Sequence, residues 1–133
     1  MEYHLKVSQA LDLLKRSASE QSATLLELGT LTVRFYAPHA VDRQLPHTRD
    51  EVYVVARGSA TFRCCGKDLL VEQGDVLTVP AYQEHQFVNF TPDFATWFFF
   101  YGPEGGERTA TACCTEPAET LTAIDLSGKP PAA

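Results

Sequence analysis

The chain has 133 residues, 44% of them apolar, and a formal net charge of −6. A chain of this length can fold as one compact domain without a disulfide or metal, so any metal that it binds serves a function. The acidic balance and the lack of runs of Lys or Arg argue against nucleic acid and anionic membranes as partners. A small-molecule substrate or ligand is the remaining class.

The N-terminal residues, MEYHLKVSQALDLLKR, lack the charged start, apolar stretch and small-residue cleavage site of a signal peptide. The longest aromatic run, WFFFY at residues 97–101, is too short to span a bilayer. We therefore expect a cytoplasmic protein.

One early segment has helical character. Ser8 is placed to cap a helix, Ala10 and Leu14 fall near one face, and two basic residues, Lys15 and Arg16, occupy the last turn. We therefore predict one short N-terminal helix.

The rest of the chain is typical of β structure, because short β-rich runs alternate with Gly, Pro, Asp or Asn turn signals. The predicted strands are SATLLEL (22–28), LTVRFYA (31–37), EVYVVA (51–56), SATFRC (59–64), KDLLVE (67–72), DVLTVP (75–80), HQFVNF (85–90) and ATWFFFY (95–101). About eight short strands predict an all-β sandwich or small barrel. We assign the helix and first strand to residues 1–30, the barrel to residues 31–108 of the same domain, and a C-terminal tail to residues 109–133.

The four cysteines form two adjacent pairs, Cys64–Cys65 and Cys113–Cys114, unlike the C-x-x-C spacing of zinc ribbons and redox sites. Neighbouring residues on a strand point to opposite faces. We therefore expect ordinary reduced thiols and no cysteine metal site.

Two segments carry the candidate site. His47, Glu51, Tyr53 and Val55 are separated by even numbers of residues, so their side chains share a face if the strand register extends back to His47. His85, Phe87 and Asn89 share a face of a later strand in the same way.

Two imidazoles and one carboxylate that meet inside a barrel can hold a divalent ion and leave positions open for water, substrate or dioxygen. This ligand set suits Fe, Zn, Mn, Ni or Co, and it does not select among them. A surface pair, or a hydrogen-bonded core histidine beside a glutamate, is the simpler alternative for the same residues.

From residue 31 to residue 101 the sequence resembles the cupin superfamily, whose motifs are H-x-H-x3-4-E-x6-G and G-x5-P-x-G-x2-H-x3-N. The matching positions are His47, Glu51 and Gly58 in the first motif and Gly74, Pro80, His85 and Asn89 in the second. The resemblance implies a double-stranded β-helix, a jelly-roll-like barrel, with His47, Glu51 and His85 as metal ligands.

Two positions depart from these motifs. Leu45 replaces the first histidine and cannot bind a metal, so the neighbouring Gln44 is a candidate for the fourth ligand through its amide oxygen. Tyr82 replaces the middle glycine of the second motif, which predicts a different turn conformation, and its ring can shape the pocket mouth. The other predicted pocket residues are Tyr53, Phe87 and Asn89.

The resemblance implies a metal-dependent small-molecule enzyme, with either dioxygenase-like chemistry at Fe(II) or metal-assisted isomerase or lyase chemistry. No catalytic residue can be assigned from the sequence. The alternative is a non-enzymatic ligand-binding or sensory cupin with an incomplete or absent metal site, because fold does not determine function. The aromatic excess and the pairing of barrels in the family lead us to expect a homodimer.

Overall fold

The structure, a computed structural model, describes residues 4–18, 21–42 and 44–107. In chain order its elements are α1 (Val7–Arg16), β1 (Ser22–Leu28), β2 (Leu31–Tyr36), β3 (Asp50–Arg57), β4 (Ser59–Cys64), β5 (Lys67–Glu72), β6 (Val76–Val79), β7 (His85–Val88) and β8 (Ala95–Tyr101). The predicted C-terminal tail, 109–133, lies outside the described residues.

Two antiparallel sheets form the jelly roll. The larger sheet has the order β1-β2-β8-β3-β6 and the smaller has the order β5-β4-β7. The predicted all-β jelly-roll barrel with a short N-terminal helix is confirmed. β3 lies between β8 and β6 in the larger sheet, and β7 lies at an edge of the smaller one. Two strands distant in sequence therefore face each other across the interior.

The core fills the space between the sheets. Residues that alternate along the strands point inward, as strand periodicity requires. The buried set is Tyr36, Tyr53, Val55, Ala60, Phe62, Val71, Val79, Phe87, Phe94 and Phe98. Many of these side chains are aromatic, and their rings meet mainly edge-on or tilted, as Tyr53 and Phe87 do with ring centroids 5.1 Å apart.

A tight turn joins β3 to β4 at Gly58. Its φ is +70°, a left-handed conformation that glycine adopts at low cost. A Cβ atom built on Gly58 would lie 2.9 Å from the Phe94 Cα atom, so a side chain has no room there. The glycine of the first motif is therefore required by packing and by conformation.

α1 covers the outer face of the larger sheet. Ala10 and Leu14 are buried there against Phe35 and Ala95, in a cluster separate from the core between the sheets. The prediction that Ser8 caps this helix is wrong: the helix begins at Val7, after the cap residue Lys6. The Gln9 side chain accepts a hydrogen bond from the Lys6 N–H at 2.7 Å and takes over the role assigned to Ser8.

At 10 residues α1 is short, and within the described ranges no helix has the length and apolar character needed to cross a membrane.

The adjacent cysteines depart from expectation. β4 ends at Cys64, and Cys65 lies in the following turn with a φ of +60°. Strand alternation therefore stops at Cys64, and the two Sγ atoms lie 3.4 Å apart. This contact is too long for a disulfide bond. Cys65 is nevertheless disulfide-bonded, so the expectation of reduced thiols is wrong for it. Cys113 and Cys114 lie outside the described residues.

Candidate metal site

Glu51 occupies the inner face of β3. Its neighbours across the sheet are Val79 on β6 and Phe100 on β8, and the residue is 1% exposed. Because side chains alternate along the strand, Tyr53 and Val55 follow Glu51 on the same inner face.

His47 precedes β3 in an irregular segment, so the strand register does not extend back to it. Its ring nevertheless points inward, and its Nε2 atom lies 2.8 Å from Glu51 Oε1. The His47 carbonyl accepts a hydrogen bond from the Tyr82 N–H at 2.7 Å, which ties this segment to the loop before β7.

His85 begins β7, in the opposite sheet, where it pairs with Cys64 of β4. Its Nε2 atom lies 3.2 Å from the same oxygen, Glu51 Oε1. One ligand-type atom from each of His47, Glu51 and His85 lies within 4.8 Å of the others, so the two motifs meet at one point.

The second nitrogen of each imidazole determines which atom faces the cluster. His47 Nδ1 lies 2.6 Å from the Arg49 carbonyl and His85 Nδ1 lies 2.9 Å from the Gln83 carbonyl. A carbonyl oxygen only accepts hydrogen bonds, so each neutral ring carries its proton on Nδ1. Both Nε2 lone pairs are then directed toward Glu51, the tautomer that metal-binding histidines use.

The contacts inside the cluster are not ordinary hydrogen bonds. His47 Nε2 and both carboxylate oxygens of Glu51 are buried and have no hydrogen-bonded partner among the described residues. Ligand atoms about 2.1 Å from one ion, at right angles, would be about 3.0 Å apart, and the observed separations from Glu51 Oε1 are 2.8 and 3.2 Å. The donor set therefore fits a divalent ion.

The Glu51 carboxylate and the His85 imidazole shift each other's pKa values. Burial raises the pKa of Glu51, but His47 and His85 outweigh this effect, and the pKa of Glu51 is lowered. Burial likewise lowers the pKa of His85, but the Glu51 carboxylate and the Gln83 carbonyl outweigh it, and the pKa of His85 is raised. In the absence of a metal, the carboxylate therefore favours the protonated form of His85 more than water does.

Tyr53 places its hydroxyl beside the cluster, 3.0 Å from His85 Nε2. Burial and the nearby Glu51 carboxylate raise the pKa of Tyr53 well above its ordinary value. The residue also packs in the core between Phe87 and Phe98, so its ring stabilises the fold while its hydroxyl reaches the site.

Asp42 supports the site and was missed by the sequence analysis. It is buried, its carboxylate accepts hydrogen bonds from the Gln44 side chain and the Phe87 N–H, and it thereby joins the segment before His47 to β7. In the sequence Asp42 is a lone acidic residue between short apolar stretches. It belongs to no motif with a defined spacing, so the sequence did not identify it.

Comparison with known proteins decides the family. Residues 33–101, more than half of the chain, match the family model of the Cupin domain. The chain belongs to the cupin family.

One sequence relative of this cupin is an uncharacterised protein of Streptomyces coelicolor, 36% identical over 76 residues, which are 56% of this chain and 72% of the relative. A solved structure of an uncharacterised conserved protein with a double-stranded β-helix domain, from Klebsiella pneumoniae, has a TM-score of 0.59 at 17% identity over 76% of this chain and 90% of the other. A Cupin 2 conserved barrel domain protein from Salinispora arenicola has a TM-score of 0.56 at 20% identity, over 77% and 89% of the two chains. KdgF from Halomonas sp. has a TM-score of 0.53 at 20% identity, over 62% and 78%. At these identities the structural likeness shows the fold alone.

Leu45, which replaces the first histidine of the cupin motif, lies at the surface. Leu45 is 80% exposed and lines the mouth of a pocket of about 400 Å³. The lining residues are Gln44, Leu45, Pro46, Arg63, Cys65, Gly66, Glu84, His85 and Gln86. His85 is 7% exposed in all and its side chain is inaccessible, so the pocket borders the His85 main chain.

Gln44, predicted as a fourth ligand, lies next to the cluster. Its Oε1 atom accepts a hydrogen bond from the Tyr53 hydroxyl at 2.5 Å, and its Nε2 atom donates to Asp42 Oδ2 at 3.0 Å. Both ends of the amide are thus engaged, and a ligand role for Gln44 stays a prediction.

The remaining predicted pocket residues divide into three environments. Tyr82 is 63% exposed and has a φ of +68°, so this tyrosine adopts the left-handed conformation that the sequence analysis expected only of a glycine, and the prediction of a different turn is wrong in its premise. Phe87 is fully buried in the core. Asn89 is exposed beyond the end of β7, with a φ of +50°, and does not face the interior with His85.

Proposed function

We propose that this cupin binds one divalent metal ion through His47, Glu51 and His85 and acts on a small molecule at that ion. The observation that carries the proposal is the convergence of two histidine Nε2 atoms and a buried carboxylate on one point, where His47 Nε2 and both Glu51 oxygens have no hydrogen-bonded partner among the described residues. A charged side chain in a core is expensive unless it is paired or binds a metal.

The chain's own residues prepare the site for such an ion. The Arg49 and Gln83 carbonyls hold the Nδ1 protons of the two histidines, which fixes the rings with Nε2 inward. The lowered pKa of Glu51 keeps its carboxylate ionised and ready to bind a cation. Fe, Zn, Mn, Ni or Co fits this ligand set.

When bound, the ion would act as a Lewis acid on a substrate oxygen or, as Fe(II), would support dioxygen chemistry. The protein supplies a pocket of about 400 Å³ that reaches His85, which is within the size range of small-molecule sites. The Tyr53 hydroxyl beside the cluster is a polar group that a substrate can contact. This combination favours an enzyme of the dioxygenase-like or isomerase/lyase type.

A non-enzymatic ligand-binding cupin is the second candidate. It is favoured by Leu45, which stands where the family motif has a histidine and is exposed at the pocket mouth. Such a protein would bind a small ligand in the same pocket without turnover. Assays with small keto acids, phenols and sugars on metal-loaded protein separate the two, since only the enzyme would change its ligand.

Cobalt binding to site variants tests the metal proposal. Co(II) is a suitable probe because its visible absorption distinguishes thiolate ligands from imidazole and carboxylate ligands. We expect His47→Ala and His85→Ala each to weaken Co(II) binding at least about 100-fold, while both proteins stay folded, because the core between the sheets remains intact.

His39→Ala is the matched control, since His39 is exposed and distant in sequence from both motifs. It should bind Co(II) as the wild type does. Equal affinity in the wild type and both site variants, or a thiolate spectrum, would rule out the proposed ligands.

A further inference from the structure

The carboxylate of Asp42 sets the hydrogen-bond direction of the groups around it. It accepts from the Tyr36 hydroxyl at 2.6 Å, from the Gln44 N–H and Nε2 at 3.0 Å each, and from the Phe87 N–H at 2.7 Å. A carboxylate is an acceptor at both oxygens, so the Gln44 atom that faces it must be the NH2 group. The orientation of the Gln44 amide is thereby fixed.

With its NH2 group on Asp42, Gln44 must present its carbonyl oxygen to Tyr53. The Tyr53 hydroxyl lies 2.5 Å from this oxygen and is the donor of the pair. A phenol has one O–H hydrogen, so the Tyr53 proton is committed to Gln44 and points away from the cluster.

On its other side the Tyr53 oxygen faces the cluster, where only acceptors surround it. His85 Nε2, 3.0 Å away, carries a lone pair because Nδ1 holds the proton. The nearby Glu51 carboxylate also only accepts. A metal on His85 Nε2 would satisfy the imidazole but would leave the Tyr53 lone pair without a donor. A ligand bound at the metal can supply that hydrogen.

We propose that Asp42 and Gln44 hold Tyr53 as a hydrogen-bond acceptor toward the site, so that the site selects ligands that carry a hydroxyl hydrogen, such as 2-hydroxy carboxylates, over their carbonyl counterparts. The inference rests on the proposed metal site and names the substrate class for it. It makes Gln44 a positioning residue in place of the predicted ligand. Tyr53 would contact the bound hydroxyl directly.

Lactate and pyruvate are suitable probes, because both can bind a metal through a carboxylate and an adjacent oxygen, and only lactate carries a hydrogen on that oxygen. Each enantiomer of lactate, and pyruvate, would be titrated into Co(II)-loaded protein, with the visible absorption as the readout. We expect the wild type to bind one enantiomer of lactate about 10- to 100-fold more tightly than pyruvate. Pyruvate binds more weakly because it would leave the buried Tyr53 acceptor without a hydrogen-bond donor.

Two variants separate the parts of this argument. Tyr53→Phe removes the acceptor and should reduce the preference to within about threefold. Gln44→Leu keeps Tyr53 but frees its proton to turn toward the site, so the preference should shift toward pyruvate, which accepts a hydrogen bond there. Leu70→Ala is the control: Leu70 is 80% exposed on β5, lies outside the pocket lining, and should keep the wild-type preference.

The outcomes are distinguishable. If the wild type holds no Co(II), both the metal site and this inference fail. If it holds Co(II) but binds neither probe, or binds both equally, the inference fails and the metal site stands. A Gln44→Leu protein that keeps the wild-type preference would show that Gln44 does not direct the Tyr53 proton.

Discussion

At the scale of residues, the site is organised around one buried charge. The Glu51 carboxylate is almost inaccessible to solvent, and burial of an isolated charge is strongly unfavourable. Two imidazoles offset that cost in the metal-free protein, and a divalent ion would offset it further. Glu51 therefore lies inside the barrel near the start of β3, where the two histidines meet its carboxylate.

Metal affinity should depend on pH through His85. Its pKa is raised above the ordinary value of 6.5, while the pKa of Glu51 is lowered. Below the raised pKa a proton must leave His85 before the metal binds, so affinity should fall about tenfold per pH unit there and level off above it. Glu51 stays ionised across this range and adds no dependence. Co(II) titrations from pH 5.5 to 8.5 check this, and an affinity that rises as the pH falls would contradict it.

Tyr82 holds a left-handed conformation at a cost to stability. For a residue with a Cβ this conformation costs about 1–2 kcal/mol, and Asn tolerates it better than Tyr. Since Tyr82 is 63% exposed, Tyr82→Asn loses little burial, and we expect it to stabilise the protein by about 0.5–1 kcal/mol in chemical unfolding. Tyr82→Phe keeps the strain and should leave stability unchanged. Destabilisation by Tyr82→Asn alone would show that the exposed ring contributes more than the backbone costs.

The sequence allowed the three cluster residues to be predicted, but not the residues that orient them. His47, Glu51 and His85 have recognisable chemistry and motif spacing. Asp42 acts through hydrogen bonds to Gln44 and β7, contacts that depend on how an irregular segment folds back across the barrel. The path of an irregular segment cannot be predicted from hydrophobic periodicity.

At the scale of elements, the site depends on two sheets that face each other and each contribute a candidate ligand. Glu51 lies on β3 of the larger sheet and His85 on β7 of the smaller one, while α1 packs on the outer face of the larger sheet. The helix is therefore on the far side of that sheet from the cluster. Its contribution to stability should be separable from metal binding.

Leu14→Ala tests that separation. Leu14 is 5% exposed in the cluster beneath α1, and we expect the substitution to lower the free energy of unfolding by about 2–4 kcal/mol. Co(II) affinity should change less than about twofold. Leu70→Ala, at an 80% exposed leucine on β5, is the matched control and should affect neither quantity. Loss of Co(II) binding in a folded Leu14→Ala protein would mean that the helix shapes the site.

Strand boundaries were predictable where glycine turns follow strands. β1, β4, β5 and β8 begin and end at the predicted residues, and Gly29, Gly66 and Gly74 lie in turns with positive φ. β7 ends before its predicted limit, since Asn89 turns out of the strand. The order of strands within each sheet was not predicted from the sequence, because hydrophobic alternation does not specify pairing partners.

At the scale of the whole molecule, we predict a homodimer. The expectation rests on the aromatic content of the chain and on the pairing of barrels among cupins. Light scattering across a range of concentrations should give twice the mass of one chain. A single-chain mass at every accessible concentration would contradict the dimer and would leave the metal site unaffected.

The most direct test of the central claim is the metal content of the wild-type protein, purified without an affinity tag. The protein would be offered Fe(II), Zn(II), Mn(II), Ni(II) and Co(II) separately under reducing conditions, and its metal content measured after removal of unbound ions. The account predicts one ion per chain for at least one of these metals, held by His47, Glu51 and His85. Protein that stays metal-free with all five would contradict it and would leave Glu51 as a buried carboxylate paired with two histidines.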